Sequence, residues 1–304
     1  MPGTGLDTRE IVEQALLAGD LYKLLLDQIE AGIYITDRDR RILYWNGGAE
    51  RITGYYSHEV VGRLCQDDLM MHCDQSGQAV CGTACPLIDV MEHGVPDERK
   101  LYLRHRHGHR LPVHVRSRAI CEAGGERVGA VEVFEEATEA ALPDLSNLAT
   151  YDCLDELTGV LKRPFGEMKG RQAAEALNLF GIPFGWLRVV VDNVDQYDHR
   201  YGHGMVEAAV KMVAETIASN LKTLDWLTYW DRGEFRIEAR GYSLVELEEL
   251  RRTLEMLVRK STLEWWGDPV QVTVSITGRM AERGDTLESL ERCGNKPMAG
   301  EGTS

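Results

Sequence analysis

No stretch of this 304-residue chain approaches the roughly 20 consecutive apolar residues that a membrane-crossing helix needs. Its N-terminal residues also lack the pattern of a secretory leader, and together these absences give the expectation of a cytoplasmic protein that does not engage a membrane. Positive charge is scarce. Thirty-four Lys and Arg stand against 49 Asp and Glu, for a net charge of -15, which argues against nucleic acid or an anionic lipid surface as partner because both demand clustered cations. There is no internal repeat and no low-complexity tract. Cysteine is sparse, seven in all and an odd number, yet four fall between Cys65 and Cys85. In a cytosolic protein such bunching points to metal or redox chemistry more than to structural disulfides. What remains is an ordinary globular balance, 43% hydrophobic and 27% charged, over a length that implies two domains, each able to bury a core.

From Asp7 to Ile29 the apolar residues Ile11, Val12, Ala15, Leu16, Leu21, Leu24, Leu25 and Ile29 follow a helical spacing. Such a helix either packs on its own domain or pairs with a second copy, and a homodimer is the expectation. At Gly32 the pattern turns strand-like. Gly32 to Asp37 and Arg41 to Asn46 read as a hairpin across a charged turn, followed by the helical Ala49 to Tyr55 and the turn Glu59-Val60-Val61-Gly62. Further strands are expected at Lys100 to His105, Arg110 to Ser117 and Arg127 to Phe134. The order of a strand ending in Thr36-Asp37, the segment Trp45-Asn46-x-x-Ala49-x-x-x-Thr53-Gly54-Tyr55 and the Glu59-Val60-x-Gly62 turn resembles PAS sensor domains. That resemblance implies a five-stranded antiparallel sheet with helices on one face and a central pocket.

Within this region lie Cys65, His72, Cys73, Cys81 and Cys85. Four thiolates, or three with the His72 imidazole, would complete a tetrahedral zinc site or hold an iron–sulfur cluster, since soft sulfur ligands suit both. A thiol pair that oxidises reversibly is the second reading, and buried cysteines acting as small hydrophobes the third.

A Glu- and Ala-rich run through Leu142-Pro143-Asp144 reads as a linker. Beyond it, Asp155-x-Leu157-Thr158-Gly159-x-x-x-Arg163 resembles the entry to the catalytic domain of diguanylate cyclases, the GGDEF family. In that family Gly-Gly-Asp/Glu-Glu-Phe joins two central strands and holds guanosine triphosphate. Here the hairpin tip is Asp231-Arg232-Gly233-Glu234-Phe235, with only Glu234 and Phe235 matching. The upstream segment from Val190 to Glu207 aligns without a gap: Asp192, Gly202 and His203 match. The resemblance assigns the two Mg²⁺-binding acids to Val190 and Gly233, the guanine-reading Asn to Asp198, and the closing acid to Glu207. Joining two nucleoside triphosphates needs carboxylates that hold Mg²⁺ against the triphosphate. With both gone, productive magnesium binding and turnover are not expected, and Asp192, Asp198, Glu207 and Glu234 stand as vestigial nucleotide contacts. The family's product-binding Arg-x-x-Asp falls at Lys222-Thr223-Leu224-Asp225. Lysine keeps the charge but loses the planar fork, and the competing reading is a solvated helix end.

The chain is thus expected to be α+β: an N-terminal helix over residues 1–30, a PAS domain over 31–137, a linker over 138–153, and over 154–304 a degenerate GGDEF domain with a mainly antiparallel central sheet flanked by helices. The expected role is intracellular signalling, with a metal, redox or small-ligand sensor coupled to an output that binds GTP, cyclic-di-GMP or another signalling protein. The alternative is an active diguanylate cyclase making cyclic-di-GMP from two GTP.

Overall fold

The computed structural model describes residues 20–67, 69–82, 84–137 and 153–293. The first part of the expected N-terminal helix, all but the last residue of the expected linker over 138–153, and residues 294–304 lie outside the described residues. The chain forms two compact units with their main boundary at 137/138.

The first unit opens with α1 (Asp20–Asp27) and then builds a five-stranded sheet from β1 (Gly32–Asp37), β2 (Ile42–Trp45), β3 (Asp97–Arg104), β4 (Arg110–Cys121) and β5 (Arg127–Glu136), in spatial order β2-β1-β5-β4-β3. Three helices, α2 (Gly47–Thr53), α3 (Ser57–Val60) and α4 (Pro86–His93), lie between β2 and β3 in the chain. Period-2 alternation sends Val113, Val115, Ala130 and Phe134 inward. Asn46 joins the elements. Its Oδ1 accepts from Ile33 N and from Ala49 N, each at 2.8 Å, while Nδ2 donates to Leu26 O at 2.9 Å and Ala31 O at 3.0 Å. One fully buried amide thus caps α2 and ties β1 to the end of α1.

The second unit begins with the Asp155 turn, whose Oδ1 accepts from Thr158 N at 2.9 Å and Thr158 Oγ1 at 2.8 Å. This Asx-type turn delivers the chain to β6 (Leu161–Lys162) and α5 (Arg163–Phe180). There follow β7 (Phe184–Val191), α6 (Val194–Tyr201), α7 (His203–Ala218), β8 (Trp226–Asp231), β9 (Glu234–Arg240), α8 (Leu244–Lys260), the hairpin β10 (Thr262–Trp265) and β11 (Asp268–Gln271), β12 (Val274–Met280) and α9 (Leu287–Cys293). The central sheet runs β12-β7-β9-β8-β6, antiparallel except for the β6–β8 pair. Ser243 caps α8 in a reciprocal box with Glu246, as its position before the apolar-periodic run predicts. Val270 to Ile276, whose β-branched run suits one strand, is divided between two strands broken at Val272-Thr273. The break turns Thr273 toward Asp192, whose amide donates to the Thr273 carbonyl at 3.0 Å. No helix among the described residues is long and apolar enough to cross a membrane.

Candidate functional site

The hairpin of β8 and β9 is the point on which the second unit's chemistry depends. Its turn is Arg232-Gly233, and Gly233 adopts the left-handed φ of 72°. A Cβ there would approach Val194 Cγ2 to 2.8 Å, so both conformation and space hold the position to glycine. Val191 N donates to the Gly233 carbonyl at 2.8 Å, which presses the turn against the end of β7. Around it opens a cleft of about 410 Å³ whose lining includes Val190, Asn193, Asp195, Arg232 and Glu234.

Ion pairs fill this neighbourhood. Arg188 on β7 donates to the Glu234 carboxylate, with Nε at 3.2 Å, and Arg236 Nη1 reaches the same group at 3.3 Å. Arg236 also donates to Glu291 on α9, at 2.8 Å from Nε and 2.7 Å from Nη2, and Trp186 Nε1 donates to Glu291 at 2.8 Å. Partial burial alone would raise the Glu234 carboxyl, but the Arg188 and Arg236 guanidiniums outweigh it and hold the group below the usual carboxylate range. Arg232 reaches back from the turn to Asp198 and lies 3.5 Å from Asp195. Asp192 faces β12, accepting from Thr273 Oγ1 at 2.7 Å and Ser275 Oγ at 2.8 Å. Glu207 stays exposed, 3.6 Å from His203 Nε2.

Val190 and Gly233, where the resemblance implies magnesium ligands, provide no side-chain donor, and no group of three or more His, Cys, Asp or Glu among the described residues is placed to hold a metal ion. The residues present therefore do not fit a magnesium–triphosphate centre.

Lys222 and Asp225 are held inside the second unit. Asp225 is 7% exposed and so is not a solvated helix end. Its carboxylate accepts from Arg240 N at 2.9 Å, Lys222 N at 2.9 Å and Tyr242 Oη at 2.8 Å. Burial raises the Asp225 carboxyl despite these bonds. Lys222 Nζ lies 3.9 Å from the centre of the Tyr242 ring, a cation–π contact.

In the first unit, Cys65, His72, Cys73, Cys81 and Cys85 form no group of three or more placed to hold a metal ion among the described residues. Backbone pairing with Tyr102 (2.9 and 2.8 Å) fixes Cys73 beside β3, Cys85 precedes α4, and Cys81 Sγ lies 4.0 Å from His72 Nδ1. No disulfide joins the described cysteines. A site that residue spacing missed is the buried Glu132, which accepts from Tyr34 Oη at 2.8 Å and Ser117 Oγ at 3.1 Å. Burial pushes its carboxyl up to about 7. The signal was available: Glu132 shares the inward phase of Ala130 and Phe134 on β5.

Residues 30–139 match the family model for the PAS domain, and residues 152–298 match that for the diguanylate cyclase, GGDEF domain. No curated protein matches the chain. Among solved structures, the diguanylate cyclase SiaD from Pseudomonas aeruginosa, in complex with its activator SiaC, is 20% identical over 49% of this chain and 59% of its own, with a TM-score of 0.46. A sensory box/GGDEF family protein from Caulobacter crescentus CB15 is 19% identical over 47% of this chain and 93% of its own, with a TM-score of 0.44. The PAS domain of a protein from Colwellia psychrerythraea is 20% identical over 43% and 99%, with a TM-score of 0.33.

Proposed function

This chain joins a PAS domain to a GGDEF domain, and on that premise we propose that it is a cyclic-di-GMP signalling protein whose GGDEF domain makes no cyclic-di-GMP and acts by binding a protein partner. One observation carries the reading: Glu234, the acid retained from the signature, is committed to Arg188 and Arg236, while the two positions assigned to magnesium are Val190 and Gly233. Phosphoryl transfer depends on neutralising the triphosphate with bound metal, and the arginine that lines this cleft, Arg232, is itself paired with Asp198 and Asp195. A nucleotide entering it would also have to displace Arg232 from Asp198 and Asp195. In the product-binding pair, Asp225 already accepts from three donors inside the unit. These commitments favour a protein contact over a retained nucleotide as the output.

The test is incubation of the full chain with GTP and Mg²⁺ or Mn²⁺, followed by chromatography for cyclic-di-GMP, with calorimetric titration of GTP and of cyclic-di-GMP in parallel. The expected result is no product and no saturable heat. Product that scales with enzyme would establish the cyclase alternative, and saturable nucleotide binding without product would make the domain a nucleotide receptor.

A further inference from the structure

The hairpin of β10 and β11 is rooted in the second unit and free at its tip. At the root, the Gln271 carbonyl accepts from Tyr197 Oη at 3.1 Å, and Gln271 Nε2 donates to the Arg259 carbonyl at 2.8 Å. Trp265 packs on the margin of the core, and a Cβ on Gly204 at the start of α7 would come within 3.2 Å of its ring, so glycine there admits the indole. At the tip the chain turns through Trp266 and Gly267, with φ of 51° and 89°. A Cβ on Gly267 would meet nothing within 4 Å, so the tip stands clear of other described atoms. Two successive positive φ values suit Asn, Asp or Gly, and a bulky aromatic at the first of them is strained. Trp266 is nevertheless 91% exposed, its ring stacked on Trp265 with centroids 6.1 Å apart and 15° between the planes. Core packing accounts for Trp265 and gives no reason for Trp266. Charge adds a direction. Asp268 pairs with Trp265 across the hairpin, which puts its carboxylate on the face of the indole stack, and Glu264 adjoins on the opposite face. Both carboxylates are exposed, and neither enters an ion pair among the described residues.

We propose that this tip docks an arginine-bearing segment of a partner protein, with the guanidinium lying on the open face of the Trp266 indole and donating to the Asp268 carboxylate. A planar guanidinium matches both halves of the surface: it stacks on an aromatic face and forks onto a carboxylate, which an ammonium cannot do together. The partner's cation is also drawn toward a chain of net charge -15. A nucleotide base would find the same indole face, but Asp268 and Glu264 repel its phosphates. An apolar lipid surface would take the indole and desolvate the two carboxylates without pairing them. The proposal rests on the protein-binding output given above and names where on the second unit that partner is held.

The experiment is fluorine NMR on the full chain labelled with 5-fluorotryptophan, titrated with a blocked arginine–glycine peptide and, in parallel, with its citrulline counterpart, which keeps the shape and loses the charge. Trp266→Asn identifies the signal and, since Asn suits a positive φ, leaves the turn intact. The expected result is a saturable shift of the Trp266 signal with the arginine peptide and none with citrulline. Affinity, read by fluorescence anisotropy of the labelled peptide, should fall by about tenfold in both Trp266→Asn and Asp268→Asn. A Trp266 signal unmoved at millimolar arginine peptide, or equal binding of the citrulline peptide, overturns the proposal. Affinity unchanged in Trp266→Asn also overturns it, by reducing the contact to general attraction toward a negative chain. The same holds for a Trp266 signal that ignores the peptide and shifts instead on concentrating the protein or on adding phosphatidylcholine vesicles, the marks of self-association and of a membrane contact. Cyclic-di-GMP formed from GTP would defeat the reading of the output and leave this titration unchanged, whereas a flat titration removes only this surface.

Discussion

Val190 on β7 lies directly opposite Glu234 on β9, and two residues back along the same ladder Arg188 lies opposite Arg236. Same-face diagonal neighbours in an antiparallel pair are within reach of long side chains, so this register brings two guanidiniums onto one carboxylate. Where the family resemblance implies a metal-binding acid facing the signature loop, the ladder presents an apolar branch and a closed ion-pair chain that runs on to Glu291.

That register gives the first prediction. Val190→Asp places a carboxylate opposite Glu234 but leaves Gly233 without a side chain and Glu234 in the grip of Arg188 and Arg236. The variant should remain inactive with GTP and Mg²⁺, at the same detection limit as the parent, in a chromatographic assay for cyclic-di-GMP. Measurable product from this single change would mean that the arginines release Glu234 in solution.

Asp225 supplies the second. Truncation to Ala strands three donors, Arg240 N, Lys222 N and Tyr242 Oη, in a buried setting. Unmet buried donors make a loss of about 2–4 kcal/mol the expected outcome. Hydrogen exchange at β8 and β9 should report it, while calorimetry with cyclic-di-GMP should be flat before and after the change. A variant of unaltered stability that loses a parental cyclic-di-GMP signal would restore the product-site reading.

The third separates two roles of Asn46. As a helix cap alone, Asn46→Asp would be close to neutral, since both residues cap well. The side chain is fully buried, however, and its Nδ2 donates to the carbonyls of Leu26 and Ala31. A carboxylate there would face those carbonyls without a proton to offer, and a destabilisation of about 2–4 kcal/mol is expected. Faster amide exchange in β1 and α2 is the readout, and exchange rates unchanged from the parent would reduce Asn46 to a cap.

Local motifs were legible because their physics is local. The Thr36-Asp37 strand end and the Ser243 cap each act within a few residues, and each lies where the sequence places it. The five antiparallel strands of the first sheet and the mainly antiparallel second sheet followed from alternation and from the family resemblance. The ion pairs were not legible, because Arg188–Glu234 and Arg232–Asp198 span 46 and 34 residues and exist only once β7, β8 and β9 are in register. The burial of Asp225 was not legible for the same reason: the groups that bond it, Arg240 and Tyr242, lie at the end of the next hairpin and just beyond it.

Glu132 yields the last prediction, and its sign follows from its burial. In the folded PAS domain the carboxyl is pushed up to about 7 from an ordinary 4.5, first because it is buried, against the opposing hydrogen bonds from Tyr34 and Ser117. Below pH 4.5 it is protonated in both folded and unfolded chains and costs nothing. Between 4.5 and 7 the unfolded chain ionises while the folded domain retains its proton, so stability falls as pH rises through this window and the penalty is complete above about 7. The full penalty is on the order of 3 kcal/mol. Glu132→Gln keeps the shape and removes the titration, with Tyr34 or Ser117 turning its hydroxyl to accept from the amide. Denaturant unfolding at pH 5 and pH 7.5 should therefore show the variant gaining on the parent as pH rises, other groups cancelling in the difference. A parent and variant whose stabilities run parallel across that window would mean that Glu132 ionises freely, and that solvent reaches the core between Tyr34 and Ser117.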